Sequence, residues 1–398
     1  MKRRDFLRHS GLASGAFLIP SFLKPLEALG LNKLSGHKNL VVIQLSGGND
    51  GINTVIPFGM DDYYKKRKSI AIPKNEIIKL TDLQGLNPNM EALREVYDQG
   101  HMGILNSVGY PNPNRSHFRS MDIWQTASDA DQYLSTGWIG RYLDSNCKEC
   151  KNPYAALEVD DTLSLAMKGA NIKGIAVKDP NQLYKNTREP FFKDVIQDNK
   201  ELLDEDNLGY LYKTMIETSS SAQYILNKSK TYKTAAAYPD NAFSNQLKTI
   251  AKFINSGLDT RVYYVSLSGF DTHNAQVASQ GRLLKQYSEG LSAFINDLKG
   301  AGNFDDTLVM TFSEFGRRVE QNASNGTDHG TANNLFLFGG KLKQQGIIND
   351  APDLKNLENG DLKYQIDFRQ VYATVLDKWL DVNNAAVLNK QFSALDFI

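Results

Sequence analysis

Carboxylates and imidazoles stand directly after two apolar runs of the sequence. The run 40–45 leads to Asp50 within SGGNDG, and the run 262–267 leads to Asp271 and His273 within SGFDTH. Two residues apart in an extended turn, a carboxylate and an imidazole can aim at one point, and this pair is a common ligand set for zinc, manganese or iron. The segments therefore predict a metal site, whereas the alternative for SGGNDG is a tight turn without a ligand.

Two further segments carry the same residue types. The apolar run 307–312 leads to Glu314 and then to Arg317 in SEFGRR, and NGTDHG places Asp328 and His329 between glycines. We expect Glu314 and His329 to be metal ligands. Asp328 is a further candidate ligand, or the residue that orients His329 or its loop. Arg317 is a candidate to neutralise an oxygen of an anionic substrate.

A hydroxyl and an imidazole stand side by side in NPNRSHFRS, after a fourth apolar run at 102–108. Ser116 is well placed as the N-cap of the helix predicted to follow. In the functional interpretation its hydroxyl, at a helix N-terminus near cations, is a nucleophile. His117 is the alternative functional side chain.

The elements that must position these residues are strands and helices in alternation. Continuous apolar, β-branched runs are typical of strands covered on both faces in a parallel sheet, and they occur at 39–48, 260–269, 306–316 and, more weakly, 101–110. Helical patterns lie at 89–100, 281–300 and 367–380. The order predicts an α/β fold with a mostly parallel central sheet and helices on both faces. Ligands of such sheets bind beyond the carboxyl ends of the strands.

Domain organisation follows from the same patterns. We expect a single α/β domain over 31–398, in which 185–245 has no strand signal and forms a helical insertion or cap. The two cysteines, Cys147 and Cys150, are expected to lie in a loop, either reduced or bridged.

Residues 1–30 have the layout of a signal peptide. Arg3 and Arg4 are followed by Phe6 and Leu7, as in the twin-arginine export signal, and small residues precede a cut after Gly30. The apolar stretch is too short, and too rich in Gly and Ser, for a membrane span. We expect export to the periplasm or beyond by the twin-arginine translocase, and no stable membrane anchor.

The charge balance excludes one class of partner. The chain has 45 basic and 45 acidic residues, and a nucleic-acid-binding protein would need a basic patch or stripe. We therefore expect no nucleic acid.

Five segments taken in order carry a resemblance to a known family. SGGNDGINTVIPF, RSHFRSMDIWQTA, GFDTHNAQ, SEFGRR and DHGTANNLFLFGG, behind the export signal, resemble the domain-of-unknown-function family 1501 over essentially the whole mature chain. That family is placed near the alkaline phosphatase and sulfatase superfamily, which implies an alkaline phosphatase-like α/β fold and metal-dependent hydrolysis of phosphate or sulfate esters.

The resemblance also implies roles for individual residues. In the order of the superfamily, Asp50 matches the first acid and Ser116 the nucleophile. Asp271 and His273 match the metal pair. Glu314 matches the later acid, and His329 the last ligand. It implies one or two divalent cations, of zinc, manganese or calcium. Phe315 stands where the superfamily has an imidazole, which leaves the number of cations open.

Two functions follow as hypotheses. In the first, the protein hydrolyses small anionic esters: one cation is bound by Asp271, His273 and His329, a second is held or bridged by Asp50 and Glu314, and Ser116 or a metal-bound hydroxide attacks. In the second, it is a non-catalytic periplasmic binding protein on a degenerate hydrolase fold.

Overall fold

The structure is a computed structural model, and it describes residues 37–146, 152–190, 192 and 207–398. The predicted signal peptide and the cysteine pair lie outside the described residues.

The strands, in chain order, are β1 (Asn39–Ser46), β2 (Val55–Ile56), β3 (Ile78–Lys79), β4 (Gly85–Leu86), β5 (Met102–Gly109), β6 (Ala156–Glu158), β7 (Ile175–Ala176), β8 (Val262–Ser268), β9 (Thr307–Phe312), β10 (Asn333–Phe338), β11 (Gly346–Ile347) and β12 (Ile366–Asp367). The central sheet has the spatial order β11-β5-β10-β9-β1-β8-β6-β7, and β12 also pairs with β5. The pairs around β1, β8 and β6 are parallel, as are β11 and β12 with β5. Only β10 runs antiparallel to its neighbours within the described part of this sheet.

The predicted mostly parallel sheet is therefore confirmed, and the four strongest apolar runs are its strands β1, β5, β8 and β9. A small antiparallel sheet of β2, β4 and β3 lies beside it.

Burial of the central strand β1 explains why its sequence does not alternate. Leu40 and Val42 belong to the core on one face, whereas Val41 and Ile43 belong to the core on the other. Because successive side chains of a strand point to opposite faces, a strand covered on both sides is apolar throughout.

Helices cover both faces of the central sheet and pack against the strand residues of the two cores. They are α1 (Gly51–Thr54), α2 (Asp61–Lys66), α3 (Arg94–Asp98), α4 (His117–Thr126), α5 (Trp138–Asn146), α6 (Pro180–Asn186), α7 (Asn207–Ser229), α8 (Ala242–Asn255), α9 (Gln276–Gly300), α10 (Phe368–Thr374) and α11 (Asn384–Leu388). Apolar residues of α4, α5, α10 and α11 line one face of the sheet. Those of α3, α7, α8 and α9 line the other.

Two predicted helices differ in detail from the structure. The pattern at 89–100 begins with a 3-10 helix, Pro88–Leu93, whose first turn is capped by the side chain of Asn87, and α3 follows. The C-terminal pattern passes from α10 into a π-helix, Val375–Trp379.

The described residues of 185–245 contain the end of α6, then α7 and the start of α8, and no strand. Ile225 of α7 is fully buried in the same core as α8 and α9. No helix of the described residues is both long and apolar enough to span a bilayer.

The position of Ile43 predicts a large loss of stability on truncation. Ile43→Ala should lower the free energy of unfolding by roughly 2–5 kcal/mol, because it leaves a cavity in a strand covered on both faces. Urea denaturation measures this change. Val277→Ala, at a helical residue that is 42% exposed, should stay within about 0.5 kcal/mol. A loss below about 1 kcal/mol for Ile43→Ala would contradict the two-sided core.

Candidate metal centre

Strand direction brings the candidate residues together. The parallel strands β9, β1 and β8 are neighbours, so their carboxyl ends share one edge of the sheet. Asp271 and His273 lie in the turn after β8, and His117 begins α4, beyond the carboxyl end of β5. His329 precedes β10, which starts at this edge because it is antiparallel to its neighbours.

One carboxylate oxygen is the meeting point of the site. Asp271 Oδ1 lies 3.0 Å from His273 Nε2 and 3.1 Å from His329 Nε2. His117 Nε2 is 3.4 Å from the same oxygen. The two nitrogens His273 Nε2 and His329 Nε2 are themselves 3.0 Å apart. Three imidazoles therefore point one nitrogen each at a single carboxylate.

Each imidazole also has an acceptor behind it. His117 Nδ1 donates to Glu314 Oε1 at 3.0 Å, and His329 Nδ1 donates to the Arg115 carbonyl at 2.8 Å. His273 Nδ1 faces Asp328 Oδ1 at 3.5 Å. A proton held on Nδ1 leaves the lone pair on Nε2, which is how histidines are oriented as metal ligands.

This arrangement fits a bound cation. His117 Nε2 is buried and has no hydrogen-bond partner within the described residues, so the site leaves a nitrogen unsatisfied. The ligand atoms of His117, Asp271 and His329 all lie within 4.8 Å of one another. Tetrahedral zinc, with bonds of about 2.0–2.1 Å, separates its ligands by about 3.3 Å, close to the spacing around Asp271. Calcium instead takes six to eight oxygen ligands.

The titration of the site residues agrees with this donor set. Burial lowers the pKa of His329, so its ring is neutral at pH 7. Burial opposes ionisation of Asp271, but the surrounding groups, with the hydrogen bond and the charge of Arg317 first among them, outweigh it and lower the pKa of Asp271 to about 2. The charged carboxylate of Asp271 thus faces the neutral imidazole of His329.

Glu314 supports the cluster from behind. Its carboxylate is fully buried, and Oε1 accepts hydrogen bonds from the Gly47 N–H at 2.8 Å and from His117. The hydrogen bond to Glu314 raises the pKa of His117, although burial of the ring opposes this. Contrary to the expectation from sequence, Glu314 is placed to orient His117 and not to bind the cation.

Asp50 lies outside the cluster. Its buried carboxylate forms an ion pair with the buried Arg67, accepts a hydrogen bond from Gln276, and caps α1 through the Ile52 N–H at 3.2 Å. The charge of this buried carboxylate is balanced by Arg67, and its three hydrogen-bond donors all lie outside the cluster. The second cation expected between Asp50 and Glu314 therefore has neither of its ligands.

The family comparison decides where the chain belongs. A family described as a protein of unknown function (DUF1501) matches residues 102–391. The chain is a member of this family. The matched segment contains all four residues of the cluster: His117, Asp271, His273 and His329.

Similar solved structures are distant. The DUF1501 chain is 15% identical to the PsFucS1 sulfatase from Pseudoalteromonas sp., with 95% of this chain and 75% of the sulfatase covered and a TM-score of 0.41. It is 13% identical to the C-terminal periplasmic domain of EcEptC from Escherichia coli, with coverage of 90% and 88% and a TM-score of 0.40. A protein in the alkaline phosphatase superfamily from Vibrio parahaemolyticus is 11% identical, with coverage of 77% and 60% and a TM-score of 0.36. No curated protein matches the sequence. At these identities and TM-scores, the similarity does not assign the activity of any of these proteins to this chain.

Arg317 of this DUF1501 protein is buried and fully engaged. Its guanidinium donates to the carbonyls of Gly47, Gly48, Phe270 and Thr327 and, at 2.8 Å, to Asp271 Oδ1. All three nitrogens have acceptors within the protein and the side chain is 0% exposed, so Arg317 is not presented to a substrate oxygen as the sequence predicted. Arg317 positions Asp271 instead.

Asp328 and Ser116 occupy the margin of the site. Asp328 faces Nδ1 of His273, on the side of the ring away from Asp271, so it is placed to orient His273 and not His329. Ser116 is the N-cap residue of α4, as expected, but its side chain makes no capping hydrogen bond and it is exposed. Its hydroxyl is therefore not committed to the helix.

Phe315 packs where the resemblance implies an imidazole. Its ring lies 4.9 Å from the ring of His117 and 4.7 Å from that of His329, measured between centroids. Gly48 has φ of +68°, and a Cβ there would lie 2.1 Å from the Phe315 ring. The phenyl group thus supports two ligands and adds none.

Sequence reasoning missed the backbone carbonyl of Arg115, because a main-chain acceptor carries no signature in the residue type. The RSH segment does place Arg115 two residues before His117, and this proximity was the available signal.

The Glu314–His117 hydrogen bond predicts a coupled change in titration and metal affinity. In metal-free protein, Glu314→Gln should lower the pKa of His117, because the imidazolium loses its carboxylate partner. At a pH above the measured titration of His117 in both proteins, zinc affinity should fall roughly 10–100-fold because the ring loses its orientation. NMR titration of the imidazoles and calorimetry measure the two effects.

The control is His37, which bonds the Thr260 carbonyl and whose pKa is lowered by burial; it should titrate unchanged. An unaltered His117 titration in the variant would contradict the assigned role of Glu314.

Proposed function

We propose that this protein is a metal-dependent hydrolase of phosphate or sulfate esters with one divalent cation. The cation is bound by Nε2 of His117, His273 and His329 and by Asp271. One observation carries the proposal: three imidazoles, each with an acceptor behind Nδ1, direct Nε2 at the same carboxylate oxygen. Imidazole-rich donor sets suit zinc and other transition metals better than calcium.

Access to solvent favours catalysis over a purely structural site. The Asp271 and His273 side chains are 48% and 42% exposed, so an ester can reach the centre, whereas structural zinc sites are closed. A divalent cation, when bound, polarises a phosphoryl or sulfuryl oxygen and lowers the pKa of water. The exposed Ser116 hydroxyl, directly before His117, remains the candidate nucleophile of the chain.

The export proposal rests on residues 1–30, whose paired arginines and short apolar stretch fit the twin-arginine route. That route carries folded proteins, so it allows the cation to be loaded before export. The partners proposed are a small anionic ester and, during export, the translocase.

A specific observation favours a second candidate, a non-catalytic binding protein with one resident metal ion. Asp50 and Glu314 are both satisfied by protein partners, and Phe315 contributes no ligand. A site that lacks the second cation of a two-metal mechanism can still hold an anion.

Ester hydrolysis tests the first proposal. Mature protein loaded with zinc or manganese should hydrolyse an aryl phosphate or an aryl sulfate, and His273→Ala should lower kcat/KM at least about 100-fold, since even a residue that orients a ligand typically costs ~10–100-fold. Circular dichroism checks that the variant is folded.

The matched control is His101→Gln. His101 precedes β5 and packs edge-on against Phe304, at the opposite edge of the sheet, so this variant should keep full activity. Elemental analysis separates the candidates further: one equivalent of metal without turnover of either ester supports the binding protein and overturns the hydrolase.

A further inference from the structure

A buried carboxylate joins two half-exposed guanidinium groups beside the metal centre. Asp361 is fully buried and accepts hydrogen bonds from Arg115 Nη2 and, at 3.3 Å, from Arg318 Nε. The Arg115 and Arg318 side chains are 42% and 37% exposed. Two cations share one anion, so the cluster keeps one uncompensated positive charge.

The backbone fixes this cluster to the ligands. The Arg115 carbonyl accepts the hydrogen bond of His329 Nδ1 at 2.8 Å, and His117 follows two residues later. The Arg318 N–H donates to the carbonyl of Asp328 at 3.0 Å, next to His329. Both arginines therefore belong to the segments that carry the ligands.

Arg115 differs from Arg317 in its free donors. Within the described chain, Asp361 is the one hydrogen-bond partner of the Arg115 side chain, whereas every nitrogen of Arg317 is engaged. Holding one Nη2 proton on a buried carboxylate limits the motion of the guanidinium and leaves its other N–H groups for an acceptor. A guanidinium presented in this way matches the paired oxygens of phosphate or sulfate.

We propose that Arg115, held by Asp361, binds an oxygen of the phosphoryl or sulfuryl group of the substrate. The inference rests on the proposed one-cation hydrolase and deepens it. Two-metal enzymes stabilise the charge of the transferred group with a second cation, and the positive charge of Arg115 takes that place here. Arg318 also donates to the Asp361 carboxylate, so this carboxylate does not compensate Arg115 alone.

Binding of inorganic phosphate and of inorganic sulfate to zinc-loaded protein tests the proposal without requiring turnover. Arg115→Gln should weaken binding of at least one of these anions roughly 10- to 100-fold, the size expected for lost charge-assisted hydrogen bonds. Zinc affinity should change less than about twofold, because the carbonyl that holds His329 remains. Calorimetry measures both, and a thermal melt checks the fold.

Arg94→Gln is the matched control, since Arg94 is also a half-exposed arginine with one carboxylate partner, Asp98. It should leave anion binding unchanged. Equal anion affinity of wild type and Arg115→Gln, with zinc bound, overturns the inference. An Arg115-dependent affinity in a protein that turns over neither ester supports the anion site while the hydrolase proposal fails, so the two failures are distinguishable.

Discussion

The site depends on one buried guanidinium. Arg317 connects the loops that follow β1 and β8 with the segment that leads to His329, through carbonyls of Gly47, Gly48, Phe270 and Thr327 and the carboxylate of Asp271. Loop backbone buried at a sheet edge must find hydrogen-bond partners, and a single planar group with several donors satisfies four carbonyls at once. The Arg317 guanidinium also donates to Asp271 Oδ1 and stabilises the charged form of this carboxylate. The hydrogen bonds that join the loops therefore also fix the position of Asp271 Oδ1.

A second buried arginine extends this network. Arg67 neutralises Asp50. Gln276 donates to Asp50 and accepts a hydrogen bond from the Thr327 hydroxyl. The backbone carbonyl of Thr327 in turn accepts a hydrogen bond from Arg317. Removing one member of a buried charge pair leaves the other uncompensated at a cost of about 3–5 kcal/mol. The acid in SGGNDG therefore contributes to the architecture of the strand ends, and its effect on the ligands passes through Gln276 and Arg317.

Sequence reasoning succeeded where a residue's neighbours are local. The sheet was predictable because strands covered on both faces are apolar throughout, and the Asp271–His273 pair because two residues in one turn share a direction. The roles of Asp50 and Glu314 were not predictable, since the decision between a cation and a protein partner depends on Arg67 and on His117, the latter 197 residues from Glu314 in the chain. The Asp361 anchor was missed for the same reason, because its partner Arg115 is 246 residues away.

The four side chains of the cluster differ in how deeply the protein buries them, so the two sides of the candidate centre are not equivalent. His117 is backed by the buried Glu314 and flanked by Phe315, whereas His273 is 42% exposed and backed by Asp328, itself at the surface. A cation held by this cluster would therefore meet solvent mainly at Asp271 and His273, which are 48% and 42% exposed, and less at His117 and His329, which are 26% and 23% exposed.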